Sequence, residues 1–223
     1  MSGTGPRPQG RFITLEGGEG AGKSTQQRRL AAWLREHGLD VVETREPGGS
    51  PGAEEIRSLL VTGAPGRWDP MTEALLIFAA RRDHLLKTIE PALQRGAWVV
   101  CDRFIDSTMA YQGYAQGLGR EAVEALYLLV VGEVHPDLTL VLDLPVAEGL
   151  ARANSRNDHE NRYEQMELDF HERLRAGFHD IVAREPARCV LIDAGVDVDA
   201  VAARIQAVVG ERLGLTAAES KEV

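Results

Sequence analysis

The sequence predicts an α/β fold in which five parallel strands form one sheet with helices on both faces. Apolar, β-branched runs alternate with helical patterns along the chain, as in βαβ units. The hydrophobic residues of each run are continuous, which indicates strands that are covered on both faces. The predicted strands are Phe12–Leu15, Leu39–Thr44, Trp98–Cys101, Leu138–Leu144 and Cys189–Asp193. The predicted helices are Gln26–His37, Met71–Arg95, Arg120–Val134, Gln165–Arg184 and Asp197–Leu213.

The length of the chain sets its domain organisation. Its 223 residues suffice for one well-buried core and are too few for two comfortable domains. We therefore expect a single domain over 11–213 with a small lid segment at about 151–164. Residues 1–10 are polar and rich in Gly and Pro, and we expect them and residues 214–223 to form flexible tails.

Charge and cysteine content limit the partners and the compartment. A net charge of −9 argues against a broad electrostatic contact with nucleic acid or an anionic membrane. Cys101 and Cys189 each lie in an apolar run, so a disulfide framework is not expected. No run approaches transmembrane length, and the N-terminus does not resemble a signal peptide. These features predict a cytoplasmic protein with small-molecule partners.

The first predicted strand leads into a glycine-rich motif. Residues 17–25 read GGEGAGKST, which fits the P-loop pattern G-x-x-x-x-G-K-[ST] between a strand and a helix. Glycines let backbone N–H groups point at phosphate oxygens, and the positive end of the helix faces the same anion. Lys23 can then reach the β- and γ-phosphates, and the Ser24 hydroxyl can bind Mg²⁺. An accidental glycine turn is the alternative, and the flanking strand and helix argue against it. The predicted nucleotide-binding residues are Gly17, Gly18, Glu19, Gly20, Ala21, Gly22, Lys23, Ser24 and Thr25.

Charged residues follow other predicted strands, and the carboxyl ends of parallel strands meet at one edge of a sheet. Asp102 ends the third strand, where P-loop enzymes place a carboxylate near Mg²⁺, so it is a metal candidate with Ser24. A salt bridge or a helix cap is the alternative role for Asp102. Arg103 and Arg45 should converge beyond the reach of Lys23. Their convergence predicts a second phosphate site, for an acceptor.

The segment Ala151–Glu164 is too polar to belong to the core. It carries Arg152, Arg156 and Arg162 among amide, hydroxyl and acidic side chains. A solvated surface loop is one interpretation. The other is a lid whose arginines close over the transferring phosphoryl group and exclude water.

Several motifs together carry a resemblance to a known family. They are the P-loop, Thr44–Gly49, Asp102-Arg103 and Ala110–Gly113, in that order. With them the chain resembles the thymidylate kinases, which are nucleoside monophosphate kinases, from about residue 11 to about residue 213. Gly20 stands where one branch of that family has arginine, so the chain is similar to the bacterial branch with a catalytic arginine in the lid. The resemblance implies a three-layer P-loop fold, ATP-dependent phosphorylation of dTMP to dTDP in dTTP biosynthesis, and a homodimer.

The resemblance also implies roles for residues of the acceptor site. Arg45 and Arg103 would hold the phosphate of dTMP, Tyr111 would pack on the deoxyribose, and Glu19 would approach the 3′-hydroxyl. Pro47 would follow a cis peptide bond, as in relatives. The substrate-binding residues implied in all are Glu19, Arg45, Pro47, Ile77, Phe78, Arg81, Arg103, Thr108, Tyr111, Gln112 and Arg162.

The base pocket contains a departure from the family pattern. Arg81 would hydrogen-bond the thymine, with Thr108 and Gln112 lining the pocket. The family usually has phenylalanine four residues before that arginine, where it stacks on the base. Here that position is Ile77, with Phe78 beside it, and the sequence leaves open which of the two contacts the thymine.

For the reaction, the resemblance implies in-line attack by a dTMP oxygen on the γ-phosphorus of ATP bound with Mg²⁺. The catalytic residues it implies are Lys23, Asp102, Arg103 and Arg156, and the lid residues Arg152 and Arg156 would also contact ATP. Arg156 is the best candidate for the arginine on the migrating phosphoryl group.

Other functions remain open at this point. Another nucleoside monophosphate kinase would share most of these motifs. A deoxynucleoside kinase would need a carboxylate base, for which Glu16 at the end of the first strand is a candidate. A nucleotide-gated binding module or a switch GTPase is the third alternative. The chain contains no Asn-Lys-x-Asp guanine motif, which argues against the GTPase.

Overall fold

The computed structural model describes residues 10–154 and 162–215. One sheet contains five strands in the order β2-β3-β1-β4-β5, and every neighbouring pair is parallel. The strands are β1 Phe12–Glu16, β2 Val41–Arg45, β3 Trp98–Asp102, β4 Leu138–Asp143 and β5 Cys189–Asp193. The predicted parallel sheet is confirmed, with strand limits that differ by at most two residues at either end.

Helices cover both faces of the sheet and give three layers. They are α1 Lys23–Glu36, α2 Pro51–Val61, α3 Pro70–His84, α4 Glu90–Gln94, α5 Ile105–Thr108, α6 Arg120–Val130, α7 Val146–Asn154, α8 Leu168–Arg184 and α9 Val198–Leu213. π-Helical turns at Leu85–Ile89 and Met109–Ala115 join α3 to α4 and continue α5. None of the helices in the described part of the chain is long and apolar enough to cross a membrane.

The predicted helix Met71–Arg95 was wrong as one continuous element. The structure interrupts it with the π-helical turn Leu85–Ile89, just before Pro91 in the first turn of α4. Proline lacks an N–H group, and its ring clashes with the carbonyl four residues earlier, so a regular α-helix cannot run through it undisturbed. Helices α2, α5 and α7 are also additions to the prediction.

Three of the predicted segments fall wholly or partly outside the described residues. These are the N-terminal tail up to residue 9, the lid from 155 to 161, and the C-terminal tail from 216 onwards. Of the predicted lid, Ala151 to Asn154 form the last turn of α7 instead of a loop.

The core lies on both faces of the sheet, as the continuous apolar strands predict. All residues of β1 are buried. Successive strand residues point to opposite faces. Phe12 and Val99 therefore pack in the cluster that includes α8, and Ile13 and Val100 pack in the cluster that includes α1 and α9. This packing fixes the carboxyl ends of β1, β2 and β3 at one edge of the sheet.

Candidate active site

The loop over residues 17–22 joins β1 to α1 and packs tightly against α7. Gly20 has a φ of 69°, and a Cβ at this position would overlap with the carbonyl oxygen of Gly149. Only glycine suits both the left-handed backbone and the close approach. The sequence motif is therefore folded as a loop that the N-terminus of a 14-residue helix follows directly.

Three polar side chains gather at this loop. Lys23 is buried, and its Nζ donates hydrogen bonds to the carbonyl oxygens of Gly17 at 3.1 Å and Gly18 at 2.7 Å. Burial lowers the pKa of Lys23 to about 8. The Ser24 hydroxyl donates to Asp102 Oδ2 at 2.6 Å, which joins the start of α1 to the end of β3.

Arg103 lies beside the loop in an unusual backbone conformation. Among the residues that the structure describes, it is the one non-glycine residue with a left-handed φ, at 70°. Its Nη1 donates to the Gly17 carbonyl at 3.0 Å and to Ser107 Oγ at 3.1 Å, and its Nη2 donates to Glu19 Oε1 at 3.0 Å. The guanidinium also lies 4.9 Å from the ring centre of Tyr111. These contacts fix an arginine at the point where β1 and β3 end.

The charge of Glu19 balances this cation. Burial raises the pKa of Glu19, but the positive charges of Arg103 and Lys23 and a hydrogen bond from the Tyr111 hydroxyl outweigh burial and lower it to about 2. Glu19 is therefore ionised at neutral pH. An anion that reached Arg103 would compete with this carboxylate.

An outer cleft of about 470 Å³ connects these groups. Its lining includes the predicted residues Glu19, Gly20, Gly22, Lys23, Ser24, Thr25, Arg45, Asp102 and Arg103. Arg45 is half exposed and pairs with Glu54 at 3.0 Å. The structure therefore brings the P-loop, the strand-end aspartate and both strand-end arginines to one cleft, as expected from the parallel strands.

An inner cavity of about 130 Å³ lies next to the outer cleft and shares Glu19, Glu46, Arg57, Arg103 and Glu164 with its lining. Its lining includes the predicted residues Glu19, Pro47, Ile77, Arg81, Arg103, Thr108, Tyr111 and Gln112. The peptide bond before Pro47 is cis. Ile77 lines the cavity, whereas Phe78 is buried in the core and does not.

Arg81, which lines this cavity, is held by hydrogen bonds at two of its three nitrogens. It is 1% exposed, its Nε donates to Glu46 Oε2 at 2.7 Å, and its Nη2 donates to Thr108 Oγ1 at 2.9 Å. The guanidinium lies 4.9 Å from the ring centres of both Phe78 and Phe104. Its buried Nη1 has no hydrogen-bond partner among the described residues. Phe78 thus packs on the arginine, and the buried Nη1 is the donor that a ligand could satisfy.

Gln112 presents the matching acceptor. Its Nε2 donates to Glu73 Oε1 at 2.7 Å, which orients the amide, and its buried Oε1 has no partner in the described part of the chain. Glu73 also pairs with Arg162, whose Nε donates to the Leu60 carbonyl at 2.6 Å. Arg162 is 2% exposed and lines neither the inner cavity nor the outer cleft. Arg162, like Phe78, therefore lies outside the linings that the other predicted substrate-binding residues form.

The predicted lid arginines are only partly described. Arg156 lies outside the described residues, within 155–161. Arg152 is on α7, where its Nη1 donates to the Ala194 carbonyl at 3.2 Å and its Nη2 lies 3.8 Å from Glu148. This contact places Arg152 near the end of β5 rather than in the lining of either cavity.

Seven residues of the inner-cavity lining were not predicted as site residues: Glu46, Arg57, Val61, Phe104, Ser107, Tyr163 and Glu164. Glu46 lies inside the TREPGG motif, and Phe104 and Ser107 closely follow the strand-end aspartate and arginine, so the motifs could have indicated these three. Arg57 and Tyr163 carry no comparable signal, because their approach depends on how α2 and the chain before α8 pack.

Glu16, the candidate carboxylate base, is fully buried away from both spaces. It accepts hydrogen bonds from the Phe104 N–H group at 2.7 Å and from the Ser107 hydroxyl. Burial, and then the charge of Asp106, raise its pKa to about 7. This placement does not support direct proton abstraction from a sugar hydroxyl, because Glu16 itself lines neither the inner cavity nor the outer cleft.

Within residues 10–154 and 162–215, no group of three or more His, Cys, Asp or Glu side chains is arranged to hold a metal ion.

Comparisons with known proteins identify the family of this chain. The profile of the family described as thymidylate kinase matches residues 15–205. A thymidylate kinase from Caulobacter vibrioides is 58% identical over 207 residues, covering 93% of this chain and 99% of that protein. One from Rhizorhabdus wittichii is 54% identical over 197 residues, covering 88% and 95%. The crystal structure of thymidylate kinase from Ehrlichia chaffeensis has a TM-score of 0.75 and 38% identity, covering 91% of this chain and 99% of that one. The chain therefore belongs to the thymidylate kinase family.

Proposed function

We propose that the protein transfers the γ-phosphoryl group of ATP to dTMP and so makes dTDP and ADP. The observation that carries this proposal is the arrangement of two adjoining spaces. The outer cleft is lined by the P-loop and by the two strand-end arginines Arg45 and Arg103, and the residues lining the inner cavity include one buried donor and one buried acceptor without partners among the described residues. Arg103 and Glu19 line both, so a nucleotide in the cavity would direct its phosphate towards the P-loop.

The unpaired hydrogen-bonding groups of the cavity lining are complementary to those of thymine. Arg81 Nη1 offers a donor and Gln112 Oε1 an acceptor, and both are buried without partners among the described residues. Thymine presents the complement, a carbonyl oxygen at C4 beside an N3–H group. Cytosine presents a ring-nitrogen acceptor beside an amino donor, which would leave both protein groups unsatisfied and is disfavoured. Guanine presents the same pair as thymine on a larger, bicyclic ring.

The reaction depends on positioning and charge. Lys23 would contact the β- and γ-phosphates, and Arg45 and Arg103 would hold the acceptor phosphate in line with them. Arg103 would exchange its contact with Glu19 for one with that phosphate. A phosphate monoester is already a good nucleophile, so little or no general base is needed. On the sequence resemblance alone, we assign to Arg156 the positive charge that would stabilise the migrating phosphoryl group.

Ser24 and Asp102 would hold a Mg²⁺ ion that ATP brings. Their oxygens lie 2.6 Å apart at the mouth of the P-loop, and oxygen ligands with remaining positions for phosphates and water suit this cation. When bound, Mg²⁺ neutralises charge on the β- and γ-phosphates.

We also propose a homodimer and a cytoplasmic location. Leu128 and Leu129 on α6 are 73% and 81% exposed, and Leu75 on α3 is 51% exposed. Exposed apolar residues on neighbouring helices suit a protein interface. Both cysteines are free and buried, which suits a reducing compartment.

The test is a screen of acceptors in a coupled assay for ADP release with ATP. We expect turnover with dTMP, a lower rate with dUMP, and none above background with dCMP, dGMP or AMP. Thymidine is included as the acceptor of a deoxynucleoside kinase. Absence of turnover with dTMP, or a preference for thymidine, would refute the proposal.

Two variants in the same assay separate the phosphate roles. Arg103→Ala should mainly raise the KM for dTMP. Arg156→Ala should mainly lower kcat, by roughly 10²–10³-fold, as for the loss of one donor to transition-state charge. Near-normal turnover of the second variant would remove Arg156 from the mechanism.

A further inference from the structure

We propose that His84 is a positioning residue for the base contact, and that it acts on Arg81 through Glu46. The inference rests on the proposed function, since it concerns the donor that would meet the C4 oxygen of thymine. His84 itself is fully buried and is absent from the lining of the inner cavity.

The observation is an unbroken chain of buried hydrogen bonds. His84 Nε2 lies 2.6 Å from the hydroxyl of Thr44, and His84 Nδ1 lies 3.0 Å from Glu46 Oε1. The other oxygen of Glu46 accepts from Arg81 Nε at 2.7 Å. If the Thr44 hydroxyl donates to Nε2, the N–H group of the ring is at Nδ1, where it can donate to Glu46. The chain thus runs from β2 through α3 to the cavity.

A guanidinium is planar, so fixing two of its nitrogens fixes the third. Glu46 holds Nε of Arg81, and Thr108 holds Nη2. The direction of the free Nη1 therefore depends on the orientation of the Glu46 carboxylate. His84 holds the second oxygen of that carboxylate, and without it Glu46 could rotate and draw the guanidinium with it.

The packing around His84 is unusually close. Gly49, which follows the Glu46-Pro47 pair, has a φ of 84°, and a Cβ there would overlap with His84 Nε2 and Thr44 Oγ1. The loop that carries Glu46 thus packs directly against the imidazole of His84.

The experiment compares the steady-state kinetics of the wild type, His84→Leu and His84→Asn. We expect His84→Leu to raise the KM for dTMP roughly tenfold, the effect of losing a hydrogen bond to a charged group, with kcat and the KM for ATP little changed. Asparagine can replace the Nδ1 donor, so His84→Asn should keep the KM for dTMP within about threefold of wild type.

A double-mutant cycle tests the route through Arg81. In an Arg81→Met background, His84→Leu should cause no further rise in the KM for dTMP, because the group that it positions is gone. A full additional tenfold rise would overturn the inference. Equal rises in the KM values for ATP and dTMP, or no change with His84→Leu, would also overturn it.

Two controls keep the result interpretable. His135→Leu, at an exposed histidine before β4, should leave both KM values unchanged. If His84→Leu does not fold, Thr44→Val removes only the hydroxyl partner and should raise the KM for dTMP by about threefold, while an unchanged KM would overturn the inference. A wild type that turns over no dTMP would refute the proposed function and this inference together. Turnover of dTMP with failed variant results refutes this inference alone.

Discussion

Replacing Arg162 with methionine should destabilise the fold far more than it impairs the handling of dTMP. Its guanidinium is buried between the Glu73 carboxylate, the Leu60 carbonyl and the ring of Tyr163, whose centre lies 4.6 Å away. Methionine matches the length of the aliphatic stem but supplies no charge and no donor. Arg162→Met would therefore leave a fully buried carboxylate without its cation.

The magnitude follows from these contacts. Removing one partner of a buried ion pair costs about 3–5 kcal/mol. Glu73 would keep the amide donors of Gln112 and Gln116, each at 2.7 Å, so the lower end of that range applies. For a chain of this size, a loss of about 3 kcal/mol lowers Tm by about 6–12 °C.

Urea unfolding, followed by tryptophan fluorescence, measures this loss directly. The double variant Arg162→Met with Glu73→Gln should recover at least about 1 kcal/mol relative to Arg162→Met alone, because no charge then remains buried. The KM for dTMP of Arg162→Met should stay within about threefold of wild type. An unfolding free energy equal to that of wild type, combined with a large rise in the KM for dTMP, would refute the structural role. It would restore the substrate contact that the sequence resemblance implies for Arg162.

Three further predictions concern pH, metal and assembly. Burial, and then the charge of Asp106, raise the pKa of Glu16 from 4.5 to about 7, so its contribution to stability is full below pH 4.5 and is lost as pH rises towards 7. The unfolding free energy of wild type minus that of Glu16→Gln should therefore fall between about pH 4.5 and about pH 7, and parallel curves would contradict this. Asp102→Asn should raise the Mg²⁺ concentration for half-maximal activity by at least roughly tenfold, whereas Asp143→Asn, at a carboxylate outside the outer cleft, should not. For the proposed homodimer, Leu129→Glu should shift the protein from dimer to monomer in sedimentation velocity, and an unchanged sedimentation coefficient would remove this residue from the proposed interface.

The sheet and the residues of the outer cleft could be predicted from the sequence because both depend on local sequence patterns. Each strand is a short apolar run, and the P-loop, Arg45 and Asp102-Arg103 come directly where strands end. Parallel strands bring those ends together whatever the helices do.

The full lining of the inner cavity could not be predicted, because it depends on long-range contacts that local sequence patterns do not show. Ile77 and Phe78 are both apolar and differ by about 100° around one helix, so the sequence could not decide which faces the cavity. The contacts of Glu46 with His84 and of Arg162 with Glu73 join residues 38 and 89 positions apart. An arginine in a polar stretch looks the same in sequence whether it binds a ligand or a buried carboxylate.

The contact between Gly20 and Gly149 also limits how this enzyme could change. At this point the P-loop and α7 meet backbone to backbone, without an intervening side chain. A P-loop of the design that has arginine at this position would place a Cβ where the Gly149 carbonyl oxygen of this chain lies. A single exchange of Gly20 for arginine would force α7 away from the P-loop before the new guanidinium could contact a substrate. A change from a P-loop with glycine to one with arginine at this position therefore requires coordinated changes in both the P-loop and α7.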